Sequence, residues 1–206
     1  MKKYAFSLYE IIIVILLTSI LALSISSNNK QNNSFLAANQ ILNHINLTRM
    51  HAMSDNIYND KNLTHWHKSR WTIKFMNCVS SVGGFYYVVF KDENLKGSPN
   101  KTECAVDPIT KKYLYSYNDC EAGYDEDRKI LITKEYGIKK ITISCNKTTT
   151  IGQLSFGFFG EPYAKLSDKS TDYLLNDDCF IEIIDEIGNS NSIKISTKSG
   201  FAEILK

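Results

Sequence analysis

One carboxylate in a run of residues otherwise fit for lipid constrains this chain more than any other feature. Residues 11–25 are almost unbroken apolar sequence, Glu10 stands at their front, and Lys2 and Lys3 precede it. A charged side chain at the centre of a membrane-spanning helix costs about 2.5–3.5 kcal/mol on insertion scales, so a carboxylate near one end is a smaller but real cost that marks function. Residues 6–25 are twenty in number. At about 1.5 Å of rise each they cross a hydrocarbon layer about 30 Å thick. No other segment of the sequence has this character, so one spanning helix is predicted, oriented by Lys2 and Lys3 on the cytoplasmic side.

A secretory signal places small residues after its apolar stretch, whereas here the small residue, Ala5, precedes it. Cleavage between Ala5 and Phe6 would remove Lys2 and Lys3 and leave a new amine one helical turn from Glu10. The stretch Ala5-Phe6-Ser7-Leu8-Tyr9-Glu10 resembles the class III signal of type IV pilins and pseudopilins, with Ala5 standing where that family usually has Gly. The resemblance implies a leader at 1–5, removed by a prepilin peptidase, and N-methylation of Phe6. It also implies that Glu10 pairs with the terminal amine of a neighbouring subunit during assembly. An ordinary single-pass anchor, the alternative, gains nothing from Glu10.

Beyond the anchor, residues 26–33 are polar and poor in helix propensity, reading as a linker or a soft helical segment. Residues 35–55 then place Ala38, Ile41, Leu42, Ile45, Ala52 and Met53 along one side at helical spacing, a face for packing on a sheet. Strands are predicted at 71–75, 85–91, 129–133, 139–144, 153–159, 180–187 and 192–196, with a hairpin turn at Gly188-Asn189-Ser190. One long helix followed by short strands predicts an α+β fold with an antiparallel sheet, residues 34–206 forming one domain. The helix sequence, with Arg49, Ala52 and Asn56, further resembles that of FimT/GspH-type minor pseudopilins, as do 154–163 and 193–201. That resemblance implies a pilin-like fold: a helix half in the membrane and half on the sheet.

Net charge is +2, with both signs interspersed, which gives no strong field for nucleic acid. Five cysteines, Cys78, Cys104, Cys120, Cys145 and Cys179, have neither paired metal-ligand nor redox-dithiol spacing. In an oxidising compartment they predict two disulfides and one thiol. The favoured pairs are Cys145–Cys179, bordering strands around one hairpin region, and Cys104–Cys120 across a polar loop. Pairing of Cys78 with Cys104 stays open beside them.

A twelve-residue stretch from Asp92 fits a calcium loop at Asp92, Asn94, Gly97, Asn100 and the closing Glu103. It fails at its fifth place, where Lys96 puts an ammonium, and no helix precedes it; a solvated hairpin loop is the alternative. The acidic run 119–127 lacks ligand spacing and reads as exposed. His65 and His67 would share one side of a strand without a third ligand, while His44 and His51 flank the packing face of the helix. Asn62, in Asp60-Lys61-Asn62-Leu63-Thr64, is a glycosylation acceptor by sequence.

No Ser-His-Asp order, phosphate loop or nucleotide fingerprint is present, so a non-enzymatic protein without a required cofactor is expected. The resemblance implies a minor subunit of a type IV pilus, a type II secretion pseudopilus or a competence system. Its implied partners are other pilin or pseudopilin subunits, the prepilin peptidase, the assembly platform and the bacterial inner membrane, with the C-terminal domain in the periplasm. The FimT-like DNA binders carry an Arg-bearing motif after their last Gly. Here Gly200 is followed by residues 201–206 without Arg, and a tethered ligand-binding domain that never polymerises is the other reading.

Overall fold

The computed structural model of the chain describes residues 7–27 (side chains as far as Ile20), 32–55, 66–145, 151–166, 169 and 171–205. It divides into two compact units, 1–32 and 33–206. The described residues of the first form one helix, α1, Leu8–Ser27, in which Glu10 is the only charged residue. Thr18 Oγ1 donates to the Val14 carbonyl at 2.9 Å and Ser19 Oγ to that of Ile15 at 2.7 Å. These hydroxyls are thereby satisfied by the helix's own backbone. Among the described residues, no helix is long and apolar enough to cross a membrane.

The second unit is α+β. It contains α2 (Asn33–Ser54), a one-turn α3 (Ile132–Tyr136) and eight strands: β1 Trp71–Asn77, β2 Phe85–Lys91, β3 Ile138–Ile143, β4 Gln153–Phe156, β5 Pro162–Tyr163, β6 Cys179–Asp185, β7 Ser190–Ile195 and β8 Ala202–Leu205. These form two four-stranded antiparallel sheets, ordered β2-β1-β4-β5 and β3-β6-β7-β8, where the sequence suggested one. Helix α2 packs on strands of both sheets, burying Ala37, Ala38, Ile41, Ile45, Thr48 and Ala52. The small alanines let the helix axis approach the sheets closely, and the isoleucines fill the space between them. Each end is pinned: Asn191 Nδ2 donates to Ser34 Oγ at 2.6 Å, and Arg49 Nε to the Ser199 carbonyl at 2.7 Å. Met53, expected on the packing face, is 44% exposed.

Strand β6 alternates buried and outward residues, while β2 is buried along its centre, because a loop covers its outer edge. In that covering, Ala105 N–H donates to Val89 O at 2.9 Å, and Val89 N–H to Leu114 O at 3.1 Å. An otherwise open sheet edge is thereby closed. The turn after β7 comes so close to the β4–β5 loop that a Cβ at Gly200, where φ is +63°, would run into the Gly160 carbonyl oxygen.

Residues 129–133 are not a strand. Asp127 Oδ1 accepts from Lys129 N–H at 2.9 Å and starts a 3-10 turn, α3 follows, and Gly137 ends it in the left-handed conformation. Ile130, Leu131 and Ile132 are all buried, a run that strand and buried helix share and periodicity cannot separate. Cys145 is bridged to Cys179, but Cys120 is bridged to Cys78, not to Cys104. The reason is topological. Val79 N–H donates to Asn118 O at 2.7 Å, laying the loop end against the end of β1, while Cys104 lies beside Phe90 of β2. Cys104 remains a buried thiol that donates to Asn100 O, and burial, with Glu103 and Glu126 nearby, pushes it up to about 12.

Candidate functional site

At the start of α1, Ser7 and Glu10 form a reciprocal cap. Ser7 N–H donates to Glu10 Oε2 at 2.8 Å, and Glu10 N–H to Ser7 Oγ at 3.3 Å. Two of the donors that open a helix without partners are satisfied in this way. The sequence reading missed this role for Ser7, although Ser-x-x-Glu ahead of an apolar run is its signature. The carboxylate uses one of about four acceptor positions in the cap, leaving capacity for an ammonium partner. Ala5, Phe6 and Asn62 lie outside the described residues, as do His65 and Asn56.

Helix α2 supplies the second feature. Arg49 is its only Lys, Arg, Asp or Glu in 22 residues. Its outward stripe runs Phe35, Asn39, Asn43, Asn46, Met50 and Met53, with Met50 57% and Phe35 44% exposed. A surface helix ordinarily presents charge on the face opposite its core stripe. This one presents amides, thioethers and a phenyl ring.

The loop from Asp92 brings its residues together around hydrogen bonds of its own. Asp92 Oδ1 accepts from Lys96 N–H at 3.1 Å and its Oδ2 from Gly97 N–H at 2.7 Å. Glu103 Oε1 accepts from Asn94 N–H at 2.9 Å, and its Oε2 from Asn94 Nδ2 at 2.8 Å and from Asn100 N–H at 3.2 Å. These carboxylates serve as turn-closing acceptors, the local alternative to regular structure that short acidic side chains offer. Among the described residues no group of three or more His, Cys, Asp and Glu is arranged to hold a metal ion. His67 lies in a 3-10 turn, Trp66–Lys68, and not on a strand.

In the acidic run, Glu126 and Asp127 are buried, contrary to expectation. Glu126 Oε2 accepts from Gly123 N–H at 2.8 Å, and Lys101 Nζ stands 3.0 Å from its Oε1. Thr110 Oγ1 donates to Asp127 Oδ2 at 2.8 Å.

His44 does not flank the packing face; it is 2% exposed. Its Nδ1 lies 2.7 Å from Tyr87 Oη and its Nε2 3.2 Å from Asp107 Oδ2, with Gln40 Nε2 at 3.1 Å from the same ring nitrogen. Asp107 Oδ1 accepts from Ile109 N–H at 2.8 Å and Thr110 N–H at 2.7 Å. Burial holds His44 below its ordinary range, against the pull of Asp107. Burial also opposes ionisation of Asp107, but the Thr110 and Ile109 amides and His44 outweigh it and keep that carboxyl low. The pair is thus a neutral imidazole on a carboxylate. An interior histidine between a tyrosine and an aspartate has no one-dimensional signature, because its partners lie 43 and 63 residues away.

No family model, curated protein or solved structure matches the chain.

Proposed function

We propose that the chain is a non-enzymatic, pilin-type subunit that is inserted in a bacterial inner membrane by its N-terminal helix and then assembled with other such subunits into a pilus or secretion pseudopilus. The observation that carries this reading is Glu10: the single charge of α1, in its first turn, with acceptor capacity beyond its cap. An apolar anchor that merely tethers a domain has no use for it, whereas the new amine made by cleavage before Phe6 would be its partner. In support, the outer stripe of α2 carries no charge, so copies of that helix can pack together without like-charge repulsion or the desolvation of buried ions. The reading leaves calcium out, since the oxygens of Asp92 and Glu103 already close the loop.

Mass spectrometry of the mature protein tests the first half: an N-methylated Phe6 terminus is expected, and an intact Met1 overturns it. Glu10→Ala tests the second. Removing one partner of a buried charge pair costs about 3–5 kcal/mol. The variant is therefore expected to insert and be cleaved, yet to be lost from complexes with its partner subunits on co-purification. Undiminished co-purification removes the assembly role from Glu10 and leaves a tethered domain that does not polymerise.

A further inference from the structure

We propose that His44, Tyr87 and Asp107 form an acid-sensitive latch, which fastens the loop 104–127 to α2 at neutral pH and releases it when the imidazole takes a second proton. A carboxylate only accepts, so the ring nitrogen facing Asp107, Nε2, carries the hydrogen of the neutral imidazole, and the Gln40 amide beside that nitrogen turns its oxygen towards it. The nitrogen facing Tyr87, Nδ1, is then an acceptor, and Tyr87 donates its hydroxyl hydrogen to it across 2.7 Å.

A second proton on His44 must go to Nδ1. Tyr87 can then only accept from it, and its own hydrogen must turn elsewhere. Tyr87 is 0% exposed and packs against the Phe75 ring, and His44 is the one hydrogen-bond partner of its hydroxyl among the described residues. Protonation therefore takes from the Tyr87 hydroxyl its acceptor in a buried site, as well as placing a cation there.

The charged and titratable groups facing the ring come from several elements. Asp107 belongs to the loop, Asp127 and Lys129 to the turn before α3, and Tyr87 to β2, with Tyr136 of α3 facing Tyr87 in turn. Asp107 and Asp127 favour the imidazolium, Lys129 opposes it, and burial outweighs the two carboxylates.

The opening is local because the loop is held at both sides of the latch by different means. The bridge Cys78–Cys120 ties its far end to the end of β1 whatever the pH. The near side depends on the Asp107 turn, and next to that turn the loop covers β2 through Val89, Ala105 and Leu114. Release thus bares the edge of β2, a row of backbone donors and acceptors ready for another strand.

The sign of the pH dependence follows from linkage. Once the loop has opened and solvent reaches His44, the imidazole titrates near about 6.5, and in the closed form it titrates lower. Between those two values the open form binds more protons, so closing weakens as pH falls, by up to about tenfold per pH unit.

Hydrogen exchange of the full chain in detergent, at pH 7.5 and pH 5.0 and corrected for intrinsic exchange rates, tests the latch. The amides of Ala105 and Val89, which pair the loop with β2, are expected to lose about tenfold or more in protection at the lower pH, while those of β6 and β7 hold theirs. In His44→Gln the loss should vanish. Unchanged protection in the wild type, or the same loss in His44→Gln, overturns the proposal. Should that variant fail to fold, Tyr87→Phe keeps the ring and removes the hydroxyl. Its pH dependence is expected to shrink, and one of full size overturns the proposal.

Discussion

The meander β6-β7-β8 and the loop region between β2 and α3 lie in the same domain and are held by different physics. In the meander, Ile181, Ile183, Ile193 and Ile195 are fully buried, strands follow one another in sequence, and the alternation of side chains sets the register. In the loop region, regular structure is sparse and buried carboxylates stand at its turns: Asp92, Asp107, Glu126 and Asp127 each accept backbone N–H groups. The difference teaches that an interior can be built from backbone without strands, provided side-chain acceptors replace the missing ladder.

The largest test of that contrast removes the bridge on each side. The loops closed by Cys78–Cys120 and Cys145–Cys179 are 42 and 34 residues, and the loop-closure expression gives about 4 kcal/mol for either. Denaturant midpoints of the two Cys→Ser double variants should therefore fall alike. A much smaller loss for Cys78–Cys120 would mean that the loop region is already held by its carboxylates.

Ile181→Ala comes next, at about 3 kcal/mol of lost transfer energy and cavity, read from the same midpoints. Asp107→Ala removes the acceptor of two backbone amides and of His44, and about 2 kcal/mol is expected. Its loss should appear as local exchange around 109–110, whereas that of Ile181→Ala should be global.

Acid separates the two regions in a different way. Burial opposes ionisation of Asp185, but hydrogen bonds from Asn189, Ser34 and Ile187 hold it low. Asp107 is low as well, so both regions lose stability as pH falls below the ordinary aspartate range, about 3.9. The loop region, unlike the meander, has a further loss starting at about 6.5, from His44 of α2 against it, whose lowered value means that its contribution is complete above that pH; His51 of α2, which burial also holds low, adds to this step. Thermal melts across this range should show both steps, and His44→Gln should shrink the upper one to the share of His51. The smallest effect is expected from Lys194→Ala. The exposed Lys194–Asp178 pair spans 3.0 Å on the meander surface, and no measurable change in midpoint should follow.

What sequence alone determined were the features whose causes are local. The bounds of β2, the extent of α2 to within two residues, the turn at Gly188 and the placing of most strands follow from side-chain period and turn chemistry, which act over a few residues. Glu10 was legible because a charge in an apolar run is visible without a fold, and the cap by Ser7 was there to be read in four letters. The fold alone decided that Cys120 meets Cys78, that 129–133 coils, and that His44 faces Asp107 and Tyr87. Each depends on where the 92–137 excursion lies against α2 and β2. Chain entropy makes such long-range contacts costly to form, and only the summed burial of the whole domain selects among them.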